Sequence, residues 1–401
     1  MINPTKIRLR NCTIKGVDCR LHTNCITVYE TMCKPYITAT ITLIDNNGFV
    51  NGLQLKGGEQ VSFAFDGGGR VYESTQYITQ IEDPQQSENL RSTTHLIHTA
   101  TESYFNDKAN LVQRSDVNTT ASSVAQQIHN QFVGTDAPLK VLQSTLGMIA
   151  KSDIGGFITA NKKPFKAIED IMSQASYGKY KSGSTVYFRD RDSYILAPLE
   201  HLFETMSPQA TFVQKKTWGA DWRDTFTSTN AIIAARTVSD ENSQRGGASK
   251  LAATASGGLN IFDIAKGTNV VDKIASKASG VLSQFAKRGG GIPNVLQTDS
   301  RRNELSSDQA VNQVEQNSFQ ASVKDGVNYL IKVPIQSGID CTVGKAINAK
   351  LIAPVGDQNT PSRNYIGGLM LVADLMHECY FDDRSVQATT TMRAVQKDYN
   401  V

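Results

Sequence analysis

Tyr36-Ile37-Thr38-Ala39-Thr40-Ile41-Thr42-Leu43-Ile44-Asp45-Asn46-Asn47-Gly48 opens the most legible stretch of the chain, and Gly57-Gly58-Glu59-Gln60-Val61-Ser62-Phe63-Ala64-Phe65-Asp66 ends it. Ile37, Ala39, Ile41 and Leu43 alternate with three threonines, the period-two pattern of a strand with one buried face. Threonine suits the outer positions because its branched Cβ fits the pleat while its hydroxyl stays in water. The Asp45–Gly48 cluster tolerates positive φ and reverses the chain. The paired glycines then lead into a second strand, with Val61, Phe63 and Phe65 on one face.

Outward from this module, residues 5 to 100 read as mostly β. Ile7 and Leu9 alternate with Lys6, Arg8 and Arg10; Ile26 to Tyr29, Tyr77 to Ile81 and Leu96 to Ala100 supply further strands, and Asp66 to Gly69 is a turn. This spacing predicts a small barrel or a strongly curved sheet. Residues 115 to 210 change character. Ala121, Val124, Ala125, Ile128 and Phe132 fall on one helical face, capped by Thr119 or Thr120. Lys163-Pro164 opens a second helix, with proline where its missing N–H costs little, and Phe165, Ile168, Met172 and Ala175 share its face. Val186 and Phe188, then Tyr194 to Leu196, form a two-stranded return. Strands resume through Phe212-Val213 and Ala231 to Ala234, and again through Tyr329 to Val333, Leu369 to Val372 and Val386 to Met392. Between them, residues 239 to 317 are rich in Gly, Ser, Ala, Asn and Gln. Inside that insert Val270, Val271, Ile274, Ala278, Val281, Leu282 and Phe285 line one helical face, a surface helix or a partner-binding one.

The late β region carries a fainter copy of the opening module. Gly344-Lys345-Ala346-Ile347-Asn348-Ala349-Lys350-Leu351 resembles Gly58 to Phe65: a glycine, two mostly polar or small residues, then alternating apolar positions. A long apolar strand and a further alternating strand follow in both. The chain therefore reads as α+β, mainly β, with two similar barrel-like units flanking an α+β segment.

Composition narrows the function. With 401 residues, length allows about two to four domains. Lys+Arg 41 against Asp+Glu 38 leaves a net charge of +3, too balanced for a dedicated nucleic-acid binder. No stretch approaches the ~18 apolar residues of a membrane span, and the N-terminus lacks the apolar run of a secretory signal. Synthesis and solubility in a cytoplasm are expected. Six cysteines, Cys12, Cys19, Cys25, Cys33, Cys341 and Cys379, form no C-x-x-C and no zinc spacing. They read either as buried thiols or as disulfides closed in an oxidising environment, the N-terminal four being the first candidates. No metal and no cofactor is expected. Catalytic constellations are scarce: His201 with Glu204 reads as a helix-surface pair, His377-Glu378 would point to opposite faces of a strand, Asp382-Asp383 reads as a turn, and Thr101 to Phe105 as a strand end or loop. There is no Gly-x-Ser-x-Gly, no phosphate-binding glycine loop and no HExxH.

Taken in order, these segments resemble the central baseplate hub proteins of contractile-tailed phages and the hub part of type VI secretion spike proteins. Glu30 to Ile41 resembles the entry to that family's first tube-domain strand, Lys163 to Ile168 the helix start of its middle domain, and Leu371 to Glu378 with Thr389 to Met392 its closing hairpin. The cysteines and the long Gly/Ser-rich insert depart from the pattern. The resemblance implies a first tube domain over 1–105, an α+β middle domain over 106–210, and a second tube domain over 211–240 and 318–401, split by an insert over 241–317. It implies a non-enzymatic homotrimer forming a pseudo-sixfold ring in the virion tail baseplate. That ring would join the hexameric tail tube to a trimeric spike carried on a separate chain, assemble in the host cytoplasm, and meet tape-measure and baseplate wedge proteins. DNA would pass through its channel at genome ejection without specific binding. Val270, Ile274, Val281 and Phe285 would dock a neighbour. The competing readings are a tail-associated cell-wall-degrading enzyme and a secreted adhesin module.

Overall fold

A computed structural model describes residues 7–67, 69–82, 85–86, 92–116, 119–134, 136–143, 157–172, 185–205, 207–214, 231–237, 327–352, 365–381 and 388–396. The first region holds β1 (Ile7–Ile14), β2 (Val17–Asp18), β3 (Thr23–Thr31), β4 (Thr38–Asp45), α1 (Phe49–Gly52), β5 (Gln60–Gly67), β6 (Arg70–Ile81), β7 (Gln85–Gln86) and β8 (Thr93–Ala100). The middle holds α2 (Glu102–Ala109), β9 (Val112–Asp116), α3 (Ala121–Ile128), β10 (Leu139–Val141), β11 (Phe157–Lys162), α4 (Pro164–Met172), β12 (Thr185–Arg189), β13 (Tyr194–Pro198) and α5 (Leu199–Glu204). The last region holds β14 (Pro208–Gln214), β15 (Ala231–Thr237), β16 (Val327–Pro334), α6 (Ile335–Gly338), β17 (Ala346–Ile352), β18 (Tyr365–Tyr380) and β19 (Ala388–Gln396).

The threonine alternation around Ile41 becomes β4, where Ala39, Ile41 and Leu43 are buried, as is Ile37 just before it. In β5 the partner residues Val61, Phe63 and Phe65 are buried too, and Phe65 stacks on Tyr72 with ring centroids 5.2 Å apart. One sheet runs β17-β14-β15-β16-β19-β18-β3-β4-β8-β6-β5-β1-β2, with β7 on β8 and a further pairing of β17 with β18. That last pairing closes β14, β15, β16, β19, β18 and β17 into a six-stranded barrel. The first region repeats the order as β3-β4-β8-β6-β5-β1, which is the order β15-β16-β19-β18-β17-β14 of the last.

The repetition extends to single hydrogen bonds. Gly58 N–H donates to Ile78 O at 2.7 Å and Ile78 N–H to Glu59 O at 3.0 Å; Gly344 N–H donates to Val372 O at 2.9 Å and Val372 N–H to Lys345 O at 3.0 Å. Both glycines have positive φ, 82° and 75°. The ladder then slips by one residue at the same place in each unit, between Ile78 and Gln80 against β8 and between Val372 and Asp374 against β19. A bulge of this kind bends a strand and increases its twist, so each unit curves at the same point.

Three cores result. The first gathers Ile14, Ile26, Ile41, Leu43, Phe63 and Phe65, and also takes Ile335, Ile339, Cys379 and Ala388 from the last region. The last gathers Phe212, Ile331, Val333, Ile347, Met370 and Met392, and also Met32, Phe188, Leu202 and Phe203. The middle core packs Val124 and Ile128 of α3 against Phe165, Ile168 and Met172 of α4. Thr120 caps α3, its hydroxyl accepting from Ser123 N–H at 3.3 Å. The helical run continues past Ile128 as a π-turn over His129–Val133. Thr101 to Phe105, expected as a strand end or loop, instead begins α2: Thr101 sits at its N-cap in an extended conformation and Glu102 occupies the first turn, where a carboxylate favours the helix dipole. Val386, Asp382-Asp383, Ala175, the 241–317 insert and the docking stripe Val270, Ile274, Val281 and Phe285 lie outside the described residues.

Candidate functional site: the joint between the two β units

The two units meet where β18 pairs antiparallel with β3, from Asp374 opposite Thr31 to Tyr380 opposite Cys25. The long β18 divides its length. Its first half pairs β17; its second half holds β19 on one side and β3 on the other. Main-chain bonds beyond the strand ends extend the seam: Met32 N–H donates to Ala373 O at 2.9 Å and Phe381 N–H to Asn24 O at 2.8 Å. At the rim, Thr31 Oγ1 donates to Asp374 Oδ1 at 2.5 Å, and Arg393 Nε reaches Asp374 Oδ2 at 2.5 Å.

Behind the seam lies a buried polar knot. Glu30 continues the inward face of Ile26 and Val28 and is 1% exposed. Tyr72 OH donates to Glu30 Oε1 at 3.5 Å, a long bond. The Arg191 guanidinium lies over the Tyr72 ring, 4.3 Å from its centroid, and Arg191 Nη2 donates to Ile339 O at 2.5 Å. His377 meets the same ring edge-on at 5.4 Å and shares a 2.9 Å hydrogen bond between its Nδ1 and Thr390 Oγ1. Strands β3, β6 and β18 and the β12–β13 turn thus converge on one tyrosine, and Arg191 ties in Ile339 at the end of α6. Burial pushes the Glu30 carboxyl up to about 7, against the opposing pull of the Arg191 charge. Burial, reinforced by Arg191, holds His377 well below its usual range, so it is neutral. Among the described residues, Glu30 Oε2, Arg191 Nε and His377 Nε2 find no hydrogen-bond partner. A second knot ties the middle region: Arg189 pairs with Asp136 and donates to Tyr194 OH at 2.9 Å, while His129 Nδ1 shares a 2.7 Å bond with Tyr187 OH.

Both knots are packed into the protein. His377 points inward while its neighbour Glu378 accepts from Tyr380 OH at 2.7 Å, as expected for adjacent strand residues. His201 and Glu204 lie on α5. No group of three metal-ligating side chains occurs among the described residues, and no described helix is long and apolar enough to cross a membrane. An open, polar groove is lined by Gln113, Arg114, Asp116, Gln127, Asn130 and Phe132, in which Arg114 is held by Asp116 and Gln127.

All six cysteines are free thiols. Cys12 and Cys19 follow on from the β1–β2 register, in which Thr13 faces Asp18. Both are buried, and burial pushes their thiols up to about 12 and about 11. Cys25, Cys341 and Cys379 are buried; Cys33 alone is exposed. The sequence reading missed the Glu30–Tyr72–Arg191 knot. Its signal was a carboxylate on the inward face of an apolar alternation.

The fold has counterparts of known structure. The tail protein of Neisseria meningitidis MC58 superposes with a TM-score of 0.54 at 9% identity, over 98% of this chain and 96% of that one. The 43 kDa tail protein of prophage MuSo2 from Shewanella oneidensis also gives 0.54, at 11% identity, over 97% and 98%. The fold is that of phage tail proteins. An E. coli component of the type VI secretion system, described as similar to the T4 tail proteins gp27 and gp5, aligns at a TM-score of 0.47 and 8% identity over 98% of this chain and 77% of its own. No family model and no curated protein matches the sequence.

Proposed function

We propose that this chain is the structural hub of a contractile phage tail baseplate. Three copies form a pseudo-sixfold ring that joins the hexameric tail tube to a trimeric spike and surrounds the channel through which DNA leaves. The observation that carries this reading is the repeated β unit: two copies of one plan, with matching bulges and matching glycine contacts, side by side in one sheet. A chain that contributes two equivalent units turns threefold into sixfold symmetry without a second gene product. The assignment divides the chain into tube units over 1–105 and over 211–240 with 318–401, a middle domain over 106–210, and an insert over 241–317. In the insert, Val270, Ile274, Val281 and Phe285 dock a neighbour in the baseplate.

A wall that lets a polyanion slide must not neutralise many phosphates, because each neutralised phosphate adds salt-sensitive affinity; the net charge of +3 suits that requirement. The ring assembles in the host cytoplasm with its thiols reduced, and any disulfide among the six cysteines closes after release. Counting chains in particle images or by native mass spectrometry tests the proposal. Three chains per ring support it; six chains, or one, overturn it.

A further inference from the structure

We infer that neighbouring copies join edge to edge through β6 and β7 of one chain and β15 of the next, repeating between chains the β3–β18 seam found within the chain. The inference rests on the ring reading and names its contact.

The equivalence of the two units can be followed strand by strand. Ile78 faces Thr99 and Val372 faces Ala394, so β6 and β8 correspond to β18 and β19. Thr99 faces Ala39 and Ala394 faces Tyr329, so β4 corresponds to β16. Ala39 faces Val28 and Tyr329 faces Arg236, so β3 corresponds to β15. Within the chain, the second half of β18 is covered by β3. The corresponding edge of β6 from Gln80 onward, and the same edge of β7, face no strand among the described residues; their pairing is to β8 on the other side. The edge of β15 over 233–237 that corresponds to the covered edge of β3 is likewise uncovered there; β16 takes its other side, and β14 reaches only Ala231 and Ile232. One edge lacks a β3 and the other lacks a β18. A second copy supplies both, and since the two edges differ, the contact is head-to-tail and closes a ring or grows a fibre.

The register follows. Met376 faces Tyr29 in the intrachain seam, and the corresponding pair is Glu82 with Thr237 of the next copy. Gln85 and Gln86 come opposite Ala235 and Ala234, with one extra residue absorbed between Glu82 and Gln85. Met32 gives its N–H to Ala373 of β18 and Asn24 O accepts from Phe381 just beyond it, so the main-chain groups of alternate residues of β3, including Val28, point at the seam. Their counterpart Arg236 presents its N–H outward, whereas Glu82 and Thr237 fall at a non-hydrogen-bonded pair, where Cα atoms approach to about 4.5 Å. An exposed strand edge of this kind is a template for another chain.

The experiment uses the full chain in a Cys33→Ser background, because Cys33 is the exposed thiol, with Glu82→Cys and Thr237→Cys together and each alone. Mild oxidation with oxidised glutathione is expected to link the double variant covalently around the whole ring and to leave each single variant unlinked. Arg236→Pro, which removes the outward N–H, is expected to abolish the assembly while the isolated chain keeps its circular dichroism. Three-chain rings without the 82–237 link would overturn the seam and leave the ring reading intact. A link in rings of another chain number would keep the seam and overturn the trimer. Assembly unaffected by Arg236→Pro together with an absent link would also overturn the seam.

Discussion

The two β units share an order, a bulge and a glycine contact, yet differ in the direction of one strand. In the first unit β1 runs antiparallel to β5; in the second β14 runs parallel to β17 and also pairs parallel with β15. The difference follows from how the chain arrives. β1 is followed by a two-residue turn, Lys15 and Gly16, both at positive φ (53° and 78°), which throws the chain back into β2. This mirror-image turn matches the twist of the strands it joins. β14 instead follows closely on α5, so its direction is set by where α5 ends. A strand can satisfy its neighbour's main chain in either sense. The five-strand core β3-β4-β8-β6-β5 repeats faithfully, and the sixth strand is free to differ.

The two units differ most in what surrounds their equivalent glycines. Gly58 and Gly344 share a conformation, but a Cβ on Gly58 would meet nothing within 4 Å, whereas one on Gly344 would lie 2.2 Å from Phe188. Gly58→Ala carries only the left-handed strain of about 1–2 kcal/mol. Gly344→Ala adds the displacement of a fully buried ring in a packed core, for a total of about 3–5 kcal/mol or loss of folding. Denaturant midpoints at matched pH measure the difference. Equal losses would mean that Phe188 does not seal the second unit as the packing has it.

The next largest effect lies in the joint itself, which has no counterpart within either unit. Glu30 carries a folded-state carboxyl near 7 against an ordinary value of 4.5. Between those values the folded chain holds the extra proton, so its stability is full below about pH 4.5 and falls as pH rises through about 7. The shift corresponds to about 3 kcal/mol at most. Glu30→Gln should therefore be nearly neutral at pH 4.5 and stabilising by an amount approaching that figure at pH 8, read as the gap between the two stability curves. His129, held down to about 4 by burial, acts in the other direction. For that reason the comparison of variant with parent is informative where the parent's own profile is not. A gap that does not widen with pH would remove Glu30 as a buried acid.

How far the sequence carried this picture can be seen at particular residues. The alternation over Ile37 to Leu43 gave β4 its buried face, and the Gly58 and Gly344 segments disclosed the repetition, because both signals are local and periodic. Thr101 to Phe105 misled: two aromatics beside a threonine suggest a strand, but Thr101 and Glu102 are equally a helix start, and packing of Tyr104 against Tyr36 and Phe105 decides for the helix. The knot could not be foreseen as a whole, since Glu30, Tyr72, Arg191 and His377 come from distant parts of the chain and only the topology brings them together. The reversed sixth strand is also invisible in sequence, because period two is the same in either direction.

Each unit also follows its β4-type strand with a four-residue helix, and the two helices are held differently. The carboxylate of Asp45 accepts main-chain N–H bonds from Asn47 and Phe49, both at 3.0 Å, and from Val50 at 2.9 Å. α6 has no side-chain cap and is preceded by Pro334. Burial alone would raise the Asp45 carboxyl, but those N–H groups hold it below its ordinary 3.8. Asp45→Ala should cost about 1–2 kcal/mol at pH 7, a loss that shrinks as pH falls below 3.8, where the parent's own carboxylate becomes protonated. Pro334→Ala should change the denaturant midpoint far less. A comparable loss from both would show that α1 is fixed by packing.

The smallest expected effect concerns the charge on the seam. Asp374 corresponds to Gln80, and Arg393 to His98, so the acid of the intrachain ion pair is replaced by an amide at that position, while His98 pairs instead with Glu82 two residues further along β6's edge. The Asp374 and Arg393 side chains are 36% and 43% exposed. Exposed pairs of this kind contribute roughly 0–1 kcal/mol and weaken with salt. Asp374→Gln, which writes the first unit's residue into the second, should therefore lower stability by less than about 1 kcal/mol, with the difference fading by 1 M salt. The main-chain ladder from Asp374 to Tyr380 would then be what holds β3 to β18, and a ladder needs no particular side chains to be repeated by β6 and β15. A loss well above that bound would mean that Asp374, with Thr31 and Arg393, is what closes the joint. An edge bearing Gln80 could then not close by the same means.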